Sequence, residues 1–135
     1  MHTVGGDSFS MIKTLPKEHR ACYTTAYLSY QLTMAGFHAY FTNSRGQLDP
    51  YMAIDLMEIG ASRHADAYGL AFATYKRHDY EAQWANIGQS WEIYQAGFAD
   101  ERFKAAEALY DEACPELDTI ITAYIKRNLK TLQKT

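Results

Sequence analysis

Gly36-Phe37-His38-Ala39-Tyr40-Phe41-Thr42-Asn43-Ser44-Arg45-Gly46, running on to Ile59-Gly60-Ala61, is the stretch on which the reading of this 135-residue chain turns. Phe37, Tyr40 and Phe41 stand at i, i+3 and i+4, the spacing of one helix face. Asn43-Ser44-Arg45-Gly46 then supplies turn chemistry, with Gly46 able to take a left-handed conformation. Asp49-Pro50 starts a second helix, with Asp49 as N-cap and Pro50 at the first helical position. Ala53, Leu56 and Met57 are expected to face inward on it, and Gly60 is a natural C-cap.

The same helical spacing recurs on both sides of this stretch, and strand alternation is nearly absent. Upstream, a helix begins near Pro16, and Tyr23, Tyr27, Tyr30 and Met34 share one face that Leu28 and Leu32 broaden. Gly36 weakens that helix at its end. Downstream, Ser62 caps a helix that buries Ala65, Tyr68, Phe72 and Tyr75, with Arg63 near its start wanting an acid nearby. Tyr80, Trp84, Ile87, Trp91, Tyr94 and Phe98 form the most regular stripe, with Gly88 a place to bend. Asp100 begins a helix through Phe103, Ala106, Leu109 and Tyr110, and Pro115 breaks it. The last helix carries Leu117, Ile120, Ile121, Tyr124, Ile125 and Leu132. The pattern predicts an all-α domain, a single compact bundle of about six or seven helices over residues 15–135, after a flexible N-terminal segment 1–14.

Composition supports a packed core: 47% of residues are hydrophobic and 14% aromatic, which argues against disorder. No apolar run has the length of a membrane span. Met1-His2-Thr3-Val4-Gly5-Gly6-Asp7-Ser8 lacks the charged and apolar regions of a secretory signal. Cys22 and Cys114 have no motif spacing and read as free thiols of a reducing compartment. The expected location is the cytoplasm.

The net charge is −3, unevenly placed. Asp100, Glu101, Glu107, Asp111, Glu112, Glu116 and Asp118 face only Arg102 and Lys104 in residues 100–118, a local balance of −5. Residues 119–135 carry Lys126, Arg127, Lys130 and Lys134 and no acid. Two readings stay open: a pair of helices whose opposite charges meet, or an acidic face that attracts a basic partner.

Phe37, the pair Tyr40-Phe41, Asn43-Ser44-Arg45-Gly46 and Ile59-Gly60-Ala61 resemble the core of the bacterial DNA-mimic protein family. Tyr110, Leu117 and Tyr124-Ile125 before Asn128 are similar to that family's closing helices. The likeness runs over residues 16–128 and is most specific at 36–61. Where the family has Asn-Gly-Gly-Phe, this chain has Met34-Ala35-Gly36-Phe37. The resemblance implies an all-helical fold, a non-enzymatic role and a homodimer. It also implies acidic side chains that imitate DNA phosphates and occupy a DNA-binding protein. With a net charge of −3, such a surface has to be local, and residues 100–118 are where it falls.

Motifs for chemistry are sparse. His19 and Cys22 stand at i, i+3 without the further ligands that zinc needs, so they read as a surface histidine and a buried thiol. His38 beside Phe37, Tyr40, Asn43 and Arg45 outlines a possible pocket, with His38 a base or, with Arg45, an anion holder. Its simpler reading is a histidine bonded to backbone at a helix end. His64 and Asp66 do not share a helix face, so they make no catalytic pair. Asp55 and Glu58 read as a solvated face. Trp84 and Trp91, with Ile87 between them, read as core rather than a stacking platform. No phosphate loop, nucleophile elbow or metalloprotease motif occurs.

Three functions follow in order. The first is a protein-binding module without metal or cofactor that occupies a DNA-binding or other basic protein through Asp100, Glu101, Glu107, Asp111, Glu112, Glu116 and Asp118. It binds neither nucleic acid directly nor membrane. The second is an immunity or anti-defence protein blocking a toxin or nuclease. The third is a small enzyme or ligand-binding domain around Phe37, His38, Asn43 and Arg45.

Overall fold

The computed structural model describes residues 9–44, 46–77 and 103–133. A 3₁₀ helix, Ser10–Thr14, precedes seven α-helices among these residues: α1 Lys17–Met34, α2 Gly36–Ser44, α3 Asp49–Glu58, α4 Ser62–Arg77, α5 Lys104–Glu112, α6 Leu117–Arg127 and α7 Leu129–Gln133. No strand occurs among the described residues. The all-helical expectation holds, and no described helix is long and apolar enough to cross a membrane. The stripe from Tyr80 to Phe98, with Trp84 and Trp91, lies outside the described residues, as do Arg45, Asp100 and Glu101.

Helix α2 explains the aromatic run. Every residue from Phe37 to Thr42 is buried, so this short helix is enclosed on all sides. Phe41 stacks on Tyr75 of α4 with centroids 4.3 Å apart and planes 4° from parallel. It also meets Phe103 at 5.7 Å and Tyr40 edge-on at 5.0 Å. Each such ring contributes about 1.5–3 kcal/mol by burial, and offset or edge contacts add about 0.5–1.5 kcal/mol per pair. Helix α1 packs on α2, α3 and α6, while α4 packs on α3 and α5.

Glycines set two of the corners. Gly36, the first residue of α2, has φ +87° and Gly60 has φ +88° after α3. Gly60 N–H donates to the Met57 carbonyl and Ala61 N–H to the Leu56 carbonyl, which closes α3 with the left-handed cap expected there. Asn43 and Ser44 belong to the last turn of α2, so the turn itself begins later than the motif implies. A cis Cys114–Pro115 bond lies between α5 and α6.

Several inward faces differ from expectation. On α1, Tyr23, Tyr30 and Met34 are exposed, while Ala21, Thr24, Thr25, Leu28 and Gln31 are buried. Tyr27 and Leu28 of the expected face do meet the core, Tyr27 with its ring 5.1 Å from Phe9 and 6.1 Å from Tyr40, and the small or hydroxyl side chains Ala21, Thr24 and Thr25 complete the seam. On α3, Met57 and Ala53 are exposed, and Met52, Asp55 and Leu56 point inward. Asp49 is the first residue of α3 rather than its N-cap, which is Leu48. The long last helix divides at Asn128, whose side-chain amide donates to the Tyr124 carbonyl. The N-terminal segment is anchored from Phe9 onward: Ile12 is 1% exposed and joins the core.

Candidate functional site

The acidic residues divide into two groups, those absorbed by the fold and those left open. Asp55 is fully buried. Arg20 from α1 clamps it, with Nη2 donating to Oδ1 at 2.7 Å and Nε donating to both carboxylate oxygens at 3.1 Å. Thr24 Oγ1 donates to Oδ2 at 2.7 Å. The expected solvated face of Asp55 and Glu58 is therefore corrected. The register of α3 turns Asp55 toward α1, where a charge survives only with a full set of partners. The bond to Asp55 raises the Arg20 pKa further, against the opposing effect of burial. Arg20 also stacks over Tyr51 at 4.9 Å. Glu58 accepts a bond from the Tyr124 hydroxyl at 2.8 Å and lies 3.8 Å from Lys17.

Glu107 is likewise claimed by the fold. Its Oε2 accepts the backbone N–H of Phe37 at 3.0 Å. A carboxylate from α5 thereby caps α2, where both the unsatisfied N–H groups and the helix dipole favour an anion. The carboxylate lies so close to Gly36 that a Cβ there would run into it.

Asp111, Glu112, Glu116 and Asp118 remain exposed at the junction of α5 and α6. The ion pairs among the described residues join Lys17 to Glu58 and Arg20 to Asp55, and none of these four acids takes part. Glu116 holds the N-cap position of α6 without a side-chain capping bond, and Asp118 lies in its first turn. There the dipole favours them. Asp118 Oδ1 also accepts the Ser29 hydroxyl at 2.5 Å. Asp111 and Glu112 end α5, in a last turn with no basic residue. There the negative end of the dipole disfavours them by about 0.3–1 kcal/mol each.

Asp111, Glu116 and Asp118 border a cleft of about 190 Å³ between α1, α4, α5 and α6, with His64 and Tyr110 among its lining residues. His64 is 1% exposed, and its ring meets Tyr110 edge-on at 5.1 Å. Burial lowers the His64 pKa and so favours the neutral ring. Burial pushes the Tyr110 hydroxyl up to about 12, held back by Ser29 and raised further by Asp118, Asp111 and Glu116. Sequence spacing gives His64 no site role. Its position three residues before Ala67 and four before Tyr68, both on the buried face of α4, was the available signal.

The possible pocket of residues 37–45 takes a different form. Phe37 and Tyr40 are both 0% exposed and are core rings, and His38 is 5% exposed. Asn43 is exposed, and its amide donates to Gln31 Oε1 at 2.9 Å. His19 Nε2 lies 3.1 Å from the Leu132 carbonyl, and Cys22 is half-buried. No group of three or more metal-ligating side chains comes together among the described residues.

Comparison with known proteins gives one family. The family model described as DMP19-like protein matches residues 13–128. No curated protein and no solved structure matches the chain.

Proposed function

Because this chain belongs to the DMP19-like protein family, we propose that it is a protein-binding module that occupies a basic, DNA-binding partner. The acids at the α5–α6 junction are its contact surface. The observation that carries this reading is the placement of Asp111 and Glu112. They sit at the end of a helix where folding alone disfavours anions, with no cation in that turn to compensate them. Glu116 and Asp118 extend the same negative edge across the cis-proline corner. Glu107 leaves the proposed surface, since it caps α2. Asp100 and Glu101 lie outside the described residues and do not carry the reading.

A row of carboxylates attracts a phosphate-binding surface for the same reason that DNA does. Its main effect is on the rate of encounter, and the effect weakens as salt screens it. The experiment is capture of DNA-binding proteins from a native lysate, followed by competition with duplex DNA. The wild-type chain should retain a basic protein that DNA displaces. The variant Asp111→Asn/Glu112→Gln/Glu116→Gln/Asp118→Asn should fold and retain none of it. Equal retention by that variant removes the proposal. Capture of a toxin or nuclease instead would favour the immunity reading, which uses the same surface logic.

A further inference from the structure

The cleft beneath the proposed surface has a chemistry more specific than negative charge. Its lining is rich in acceptors. Asp111, Glu116 and Asp118 stand at its mouth, and Ser29 already spends its hydroxyl hydrogen on Asp118. His64 is 1% exposed and lines the same cleft, and its Nδ1 has no hydrogen-bond partner. A buried ring nitrogen left unsatisfied is costly unless something completes it. The Tyr110 ring packs against that imidazole and supplies an aromatic wall. The cleft of about 190 Å³ has room for roughly six waters at about 30 Å³ each. That is enough for the head of a long side chain.

We infer that this cleft is a subsite for one arginine side chain of the basic partner. The guanidinium is donor-only and planar, and it presents five N–H groups in a fixed fork. It satisfies several acceptors at once and stacks on an aromatic ring, which an ammonium does less well. The carboxylates are not gathered closely enough with His64 to hold a metal ion. A spread set of acceptors suits an extended donor better than a single ion. The subsite rests on the reading of the acidic edge as a partner surface and names what that surface recognises. Low His64 proton affinity fits the role, since a neutral imidazole accepts a bond and does not repel the cation.

The probe is N-acetyl-arginine amide, titrated into the full chain and followed by the NMR signals of the His64 and Tyr110 rings. Saturable binding is expected, with Kd on the order of millimolar, as for a single side chain held by a few polar contacts. N-acetyl-lysine amide should bind about fivefold more weakly. The exposed double variant Asp111→Asn/Glu116→Gln should weaken the arginine probe by about fivefold. His64→Phe keeps an aromatic ring against Tyr110 but removes the acceptor, and it should weaken the probe by about threefold. Shifts that climb linearly without saturating, or equal binding of both probes in all three proteins, overturn the subsite. The two claims fail separately. If the arginine probe does not bind while the fourfold neutral variant still loses its basic partner, the subsite falls and the surface stands. If the probe saturates while DNA-displaceable capture is absent, the cleft holds a guanidinium but the DNA-binding partner, and with it the assignment of that arginine to such a partner, falls.

Discussion

Asp55 and Asp111 are the same residue type in two regions of one small bundle, and the molecule treats them in opposite ways. Asp55 sits between α1 and α3 with Arg20 and Thr24 occupying both of its oxygens. Asp111 ends α5 in the open, in no ion pair among the described residues and at the unfavourable pole of its helix. The first carboxylate is internal structure. The second is charge that folding does not need. Burial decides between them, because a desolvated ion must be paired whereas a hydrated one is held only weakly.

The comparison is broken most severely at its buried end. Arg20→Ala leaves the Asp55 charge uncompensated and should cost about 3–5 kcal/mol, read from the urea midpoint. A loss below about 1 kcal/mol would mean that the pair is as dispensable as a surface bridge. Next comes the α1–α2 corner. Gly36→Ala asks for a left-handed residue and drives a methyl group into the Glu107 carboxylate, so a loss of about 1–3 kcal/mol is expected. Glu107→Ala relieves that contact but uncaps α2, at a cost of about 0.5–2 kcal/mol. Combined with Gly36→Ala, it should cost less than the sum of the two single changes.

The cleft gives a smaller, pH-dependent effect. Burial holds the His64 pKa below its ordinary 6.5, so on acidification the unfolded chain takes up a proton that the folded chain resists. This contribution to stability is complete above pH 6.5 and is lost as pH falls through the lower, folded value. Chemical unfolding at several pH values should show His64→Phe flattening the slope below pH 6.5. The smallest effect belongs to the open acids. Asp111→Asn/Glu112→Gln should change stability by no more than about 0.5 kcal/mol, with any change toward gain because the dipole conflict is relieved. A clear loss in thermal unfolding would place these acids with Asp55 and undo the contrast.

The aromatic run of α2 was legible because its spacing and the flanking glycines agree. Gly46 and Gly60 have the positive φ expected of them, and Gly36, expected only to weaken the end of α1, has it as well. The helical class followed from the same periodicity. On α1 the regular stripe is only half inward: Tyr27 and Leu28 pack on the core as expected, whereas Tyr23, Tyr30 and Met34 are exposed and Ala21, Thr24 and Thr25 complete the seal. A tyrosine is comfortable at either place, since its body is apolar and its tip polar. By sequence Glu107 groups with the surface acids, because nothing local distinguishes it from Glu112. Its partner, Phe37 N–H, is seventy positions away in the chain. His64 was missed as a lining residue for the same reason, since Ser29, Tyr110 and Asp118 reach it only through packing.

Sequence by itself determined the helices, the left-handed corners and the local excess of acid, because each depends on neighbours within a few positions and on fixed backbone sterics. Tertiary structure alone decided which carboxylates are consumed and which stay open. Desolvation, hydrogen-bond completion and the field of a helix end all depend on what a distant segment brings within about 3 Å, a distance set by packing.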